Sequence, residues 1–574
     1  MLSRLLRNDE PSVYVQAAWE DVEDEALPRP LLREGLGTSH LKVSTRVPQA
    51  QAWFDQGLSL LHLGWGPEAR RSFAEAARLD PELAMAWWGL ALTRGPGARF
   101  AKARAEAMTR ALALSAGLPD VEQRYIVAAS LLAEKGPSNG RHAFVREMEG
   151  LVDRYPEDAE ARLLLAGFLA DGYEPDGRPG QGQPYAQALL RELLRTHPDH
   201  AGVHFAWVCT MLPSLRPEAA RESALRLPKL APGASFALLV SGRLLGRLGE
   251  TDAAYRVLEA AVEADDAYLA AESLPTVFAP CAELAMRLLS QGCAEAGQYS
   301  DAQTWARRLR QRVESAGGEA QAVLFAATTL VSTHLRFGFC RAAADVSLEL
   351  AGELTVAEQS LRDGVRLYTR GINALDAGRL PDAERACASL ELLQPVLSEV
   401  RRSENRALCP RDVSRVLEVA ESELRGALES RRGDGGRAEA TLIRAWRMER
   451  RLRASGPASF SRPARETLAR ARMRGEREEK ALELARALVE ERPGCGHFRL
   501  LLAEARAALG ERVLAVQDFN AFLDRWRDAD SHLPELRRAR TYIDGRGRVL
   551  RLVHTSEAPL PVPPDFRPLE KVSC

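Results

Sequence analysis

From about residue 48 to about residue 540, apolar positions recur three and four apart, alanine and leucine dominate, and glycine or proline marks the breaks. That is the beat of amphipathic helices, and period-two alternation of the kind a half-buried strand needs is scarce. The pattern predicts an all-α body. Residues 1–47 lack it, carry the acidic run EDVEDE and read as an irregular N-terminal segment. Residues 536–574 change character again: TYIDGRGRVLRLVHTS reads as a small hairpin turning at DGRG, and LPVPPDFRP as an extended proline-rich tail.

The breaks in the helical body are themselves periodic. Trp53 and Trp87 stand 34 residues apart, and a 34-residue unit counted from residue 50 holds Trp53, Gly57, Gly64, Ala69, Phe73, Ala76 and Pro81. Gly57 and Ala69 let two antiparallel helices approach, Phe73 fills the space between hairpins, Gly64 suits a tight turn and Pro81 stops the second helix. The frame returns at Gly242, Leu245, Gly249, Ala254, Leu258 and Ala261, at Gly371, Gly378 and Ala383, and at Ala503, Gly510, Ala515 and Phe519. Gly297 and Ala302 fit it too. This is tetratricopeptide spacing, and it predicts a right-handed α-solenoid of stacked helix pairs. Interruptions divide the array into 48–200, 201–425 and 426–535, without independent domains. A Gly/Pro-rich insertion at 171–185 leaves the first stretch as a loop.

Composition narrows the function classes. The 574 residues carry 78 basic and 79 acidic side chains, a formal charge of −1, which makes a dedicated nucleic-acid partner unlikely on this reading. Arginine-rich strings such as RRLRQR and RRLRASG read as solvated helical faces. Eight scattered cysteines without CxxC suit a reduced cytoplasmic interior, the opening MLSRLLRNDEPSVYV is a poor signal peptide, and no stretch is apolar enough to cross a bilayer.

No phosphate-binding, dinucleotide, nucleophile-elbow or zinc-protease motif stands in its expected setting, so neither a catalytic residue nor a cofactor is assigned. HPDHAGVH is the one histidine cluster, and it reads as a solvated turn followed by a packed His204. Under a competing reading, an enzyme or metal-dependent accessory with a pocket in the central superhelix, His204, Cys209 and Cys281 are the candidate metal ligands. The repeat geometry places Gln51, Phe54, Leu58 and Leu61, then Met85, Trp88, Leu92 and Gly95, on the concave face. That face is apolar and suits an amphipathic helix or apolar peptide, unless the N-terminal segment or the tail covers it. The leading expectation is a cytoplasmic scaffold binding a protein or peptide through these residues, of unspecified oligomeric state. A ligand-responsive sensor is the second alternative.

The segments LGTSHLKVSTRVPQAQAWFDQGLSLLHLGWGPEARRSFAEAARLDPELAMAWWGLALTRGP, HPDHAGVHFAW, LAPGASFALLVSGRLLGRLG, LRFG and ETLARAR also resemble, in order, a bacterial family of tetratricopeptide-repeat proteins of about 500–600 residues. The resemblance implies histidines around His204, Phe205 and Cys209, at Phe236, Leu239 and Arg243, and near Cys281. Only His40 persists among them, so it implies a diverged member that has lost most of that machinery.

Overall fold

A computed structural model describes residues 27–93, 100–134, 136–174, 177–278, 281–317, 320–350, 352–399, 410–452 and 460–545. Helix follows helix from Pro48–His62 to Pro534–Ile543, each packed on its neighbours in sequence, and no strand occurs among the described residues. The chain is an all-α, tetratricopeptide-like solenoid. In the first hairpin, Pro48–His62 and Gly66–Leu79, Phe73 is fully buried and its ring lies where a side chain at Gly57 or Gly89 would stand, 2.7 and 2.5 Å from a Cβ. The glycines at the repeated turn position, Gly64, Gly249, Gly297, Gly378 and Gly510, all have φ between 74° and 81°. The residue after each turn glycine bonds back to a carbonyl five residues earlier, as in Trp65 N–H to Leu60 O and Gln298 N–H to Cys293 O.

Of the insertion expected at 171–185, residues 171–174 and 177–182 are non-helical and the last three belong to a helix. Tyr173 pairs with Pro179, Gly182 N–H bonds to Asp171, and the helix Gln183–Thr196 follows. The C-terminal hairpin needs correction at its start. Thr541, Tyr542 and Ile543 close the helix Pro534–Ile543, because Pro534 opens it and Leu536 and Ala539, three apart, bury one face. The rest of that hairpin and the tail lie outside the described residues.

Residues 27–47 form no helix, yet they are tied down along their length. Leu31 N–H bonds to Glu272, Arg33 N–H to Gln56, and Val43 N–H to Gln51. The Arg33 guanidinium lies over the rings of Trp65 and Tyr268, 5.1 and 4.6 Å from their centroids. Further on, Gly233 N–H bonds to Gly35 O, Ser44 bonds to Glu122, and His40 N–H reaches Glu160. This strap therefore bridges helices from residue 48 to residue 272 along the face they share.

The second half of the solenoid curls until its end meets its middle. Trp526, 1% exposed, donates its indole N–H to Glu295 O at 2.9 Å, 231 residues away. Its ring covers Gly297, where a Cβ would lie 2.5 Å from Cδ2. Asp530 fastens the same joint: its N–H bonds to Gly297 O, and its carboxylate accepts from Ser300 N–H at 2.8 Å. Arg525 donates to Gly249 O and Arg492 pairs with Glu295. Helices 282–543 thus close a ring. Replacing Trp526 by alanine removes a fully buried indole, which costs about 3–5 kcal/mol. The expected outcome is a lower melting temperature and, by small-angle scattering, a larger radius of gyration; an unchanged radius would show that the joint does not hold the ring.

Candidate functional site

The six residues expected to present an apolar groove do not present one. Phe54, Leu58, Leu61, Met85, Trp88 and Leu92 are 0–7% exposed, and Trp88 donates its indole N–H to Tyr125 O. The reason is packing from both sides. The following helices cover Met85, Trp88 and Leu92, and the strap runs beside Pro48–His62. Gln51, the polar exception in that set, is what grips the strap, bonding to Leu41 O, Val43 N–H and Asp55.

Nor do the alternative metal ligands form a site. His204 uses both ring nitrogens internally, Nδ1 with Ser223 and Nε2 with Pro198 O. Cys281 is buried at the start of the helix Ala282–Glu295, where its backbone N–H and that of Ala282 bond to Asp265. Cys209 is half-buried, and among the described residues no three His, Cys, Asp or Glu side chains gather to hold a metal ion. Phe205 and Phe236, where the resemblance implies histidines, pack ring to ring at 5.7 Å.

A different histidine pair is brought together. Glu160 is buried between His62, 2.6 Å from its Oε2, and His200, 3.1 Å from its Oε1. His200 Nδ1 accepts from Val203 N–H as the cap of Ala201–Met211, so Nε2 carries the proton toward Glu160. Burial alone would raise the Glu160 carboxyl; the two histidines outweigh it and hold Glu160 below the usual carboxylate range. This cluster receives His40 N–H and anchors the strap.

The chemistry lies in the second half. The ring encloses a cavity of about 830 Å³ whose wall carries nine arginines and six carboxylates. Most of these arginines are matched. Arg336 pairs with Glu466, Arg470 with Glu466 at 3.1 Å, Arg492 with Glu295 at 2.5 Å, and Arg538 with Glu535 at 3.5 Å. Arg462 is held by Glu423 at 3.0 Å. Arg474 has no carboxylate partner: its Nε donates to Ser430 Oγ at 3.2 Å, and its charged neighbours are Arg431, Arg470 and Arg462. Burial, then those three cations, push its guanidinium down to about 10. Arg474 and Arg431 end the helices Ala464–Arg474 and Pro410–Arg431, whose C-terminal carbonyls offset part of the repulsion.

His497 completes the cluster. It is 3% exposed, lines the cavity, and neither ring nitrogen has a partner. Burial and the neighbouring Arg336 hold it well below its usual range, so the imidazole is neutral and offers one donor and one acceptor. A buried polar group left unbonded costs about 1–3 kcal/mol, so such a ring marks a place where a ligand or water bonds. Burial also raises Glu449, on the same wall, to about 7. Arg470 and Arg474, four apart on one helix, were the sequence signal for this site, and reading such arginines as solvated faces concealed it.

No family model and no curated protein matches the chain. Similar solved structures include the human IFIT1 dimer with m7Gppp-AAAA, 13% identical over 84% of this chain and 91% of that one, with a TM-score of 0.31. They include the same human dimer with PPP-AAAA, 13% identical over 90% and 95%, TM-score 0.32. The P58(IPK) TPR domain is 14% identical over 68% of this chain and 99% of its own, TM-score 0.19. Against the expectations of a protein partner and of no nucleic acid, these helical-repeat structures include one solved with capped and triphosphorylated oligonucleotides. The bacterial family expected from the sequence is not among them, both IFIT1 structures being of a human protein. The net charge of −1 averages this local concentration of arginine over the whole chain. The likeness reaches the helical-repeat architecture alone; the ligand of this chain follows from its own side chains.

The unmatched arginine sets two opposite expectations. Arg474→Met relieves cation repulsion and raises the melting temperature of the ligand-free protein. Arg470→Met removes one of the two arginines that each of Glu466 and Glu504 pairs with and lowers it, by less than the ~3–5 kcal/mol of a buried pair broken outright. Calorimetry of both variants checks the pair of signs.

Proposed function

We propose that the protein is a ligand-binding helical-repeat sensor, and that its ligand is a compact polyanion, phosphate above all, held in the arginine-lined cavity. The observation that carries this reading is Arg474, a half-buried guanidinium among Arg431, Arg462 and Arg470 with no carboxylate of its own. Free protein carries that repulsion as a cost; an anion with several acceptor oxygens removes it and gains charge-assisted hydrogen bonds. His497 adds a neutral hydrogen-bonding group at the same wall.

The sensor character follows from where the cations sit. Arg431 and Arg474 end different helices, and Arg336 and Arg538 belong to parts of the chain some 200 residues apart that meet only through ring closure. Neutralising them together draws those helices inward, so binding and curvature are linked.

Titration of pyrophosphate into the full chain tests the reading by calorimetry. One site is expected, weakened about 10-fold or more in Arg474→Gln, the loss of one charge-assisted contact worth about 1.5–3 kcal/mol. Absence of binding in the unaltered protein overturns the proposal. The pH dependence has a fixed sign. The Glu449 carboxyl is raised to about 7, so it is negative above that pH and neutral below it. Affinity relative to the Glu449→Gln variant, in which the titration of pyrophosphate itself cancels, therefore rises as pH falls from 8 to 6.

A further inference from the structure

The cavity is larger than a small polyanion needs, and its wall is not uniformly charged. At about 830 Å³ it has the size of pockets that take whole organic ligands. Away from the arginine cluster the wall is aromatic. Phe339 is half-buried, and its ring is backed by Tyr299 at 4.6 Å and by Phe337, nearly parallel at 22°. Phe519 and Tyr542 form a second pair, 4.7 Å apart and inclined 36°, on the same cavity.

His497 stands where the two kinds of wall meet. Its ring touches Phe337 and Trp526 edge-on, at 5.3 and 4.9 Å, while Arg336, Arg470 and Arg538 are the cations that act on it. A neutral ring with a free donor and a free acceptor suits hydroxyl or ester oxygens better than a bare charge. In order, then, the wall offers cations for several phosphates, a neutral hydrogen-bonding group, and flat apolar rings for a planar aromatic group.

On that basis, and resting on the anion-binding reading above, we propose that the cavity takes a nucleoside 5′-polyphosphate, its phosphates on the Arg431–Arg470–Arg474 cluster and its base against the Phe337–Phe339 wall. The same chemistry is carried by a free nucleotide and by the 5′ end of an oligoribonucleotide. Stacking of a base on an aromatic side chain is worth about 1–3 kcal/mol, which separates the nucleotide from its bare polyphosphate.

The test is calorimetry on the full chain in magnesium-free buffer, with tripolyphosphate, adenosine, ATP and a 5′-triphosphorylated adenylate tetramer as probes. ATP or the tetramer is expected to bind at least about 5-fold tighter than tripolyphosphate, a margin set by the stacking contribution. Whichever of the two binds more tightly identifies the free nucleotide or the chain end as the source. Phe339→Leu, which keeps an apolar side chain and the fold, should erase that margin while leaving tripolyphosphate affinity in place. Arg474→Gln should weaken every phosphorylated probe and leave the ATP-to-tripolyphosphate ratio unchanged. Equal binding of tripolyphosphate and both nucleotide probes overturns this inference but leaves the anion site standing. If none of the phosphorylated probes binds, both readings fall.

Discussion

One joint decides what this solenoid can enclose. A stack of helix pairs is open-ended by construction, because each pair needs only its neighbours for stability. Here Trp526 lies on Gly297, with its indole N–H on Glu295 O and Asp530 bonded beside it, and the open stack becomes a ring. The joint has no tolerance in its small partner. Gly297 combines a φ of 81° with a ring 2.5 Å from where a Cβ would stand, so any side chain there is refused on two separate grounds. Without the joint, Arg336 and Arg538 would belong to distant parts of an extended surface.

The two halves of the molecule handle their inner faces differently. The first lines it with its own chain: the strap of residues 27–47 is fixed there by Gln51, Gln56, Glu160 and Glu272. The second leaves it hollow and charged. An array built from near-identical units thus becomes a strapped half and a receptive half through one non-repeating segment and one long-range contact.

What the sequence made legible tracks what is local. The helices, the turn glycines from Gly64 to Gly510 and the non-helical stretch before residue 48 follow from periods and turn residues within a few dozen positions. The site did not. Phe54 and Trp88 carried the apolar signal of a groove, but the same signal marks a core, and only the third dimension tells them apart. His497 and Arg474 are unremarkable in their own segments; His497 takes its meaning from the distant Arg336, and Arg474 from Arg431 on a helix packed against its own. The one local hint, Arg470 and Arg474 on a single helix face, was outweighed by a chain-wide charge that cancels.

The strap also sets an order of events. It is the first described part of the chain to be made, yet its partners include Glu160, Gly233 and Glu272, and the bond from Leu31 to Glu272 spans 241 residues. Repeat arrays otherwise fold through near-neighbour contacts as each pair emerges. The inner face of the first half must therefore wait, apolar and uncovered, until synthesis has passed residue 272, with the leading segment held in reserve to close over it. A protein whose repeats could fold one after another is thereby given a late, single committing step, and the interval before it is when its nascent chain is most exposed to aggregation.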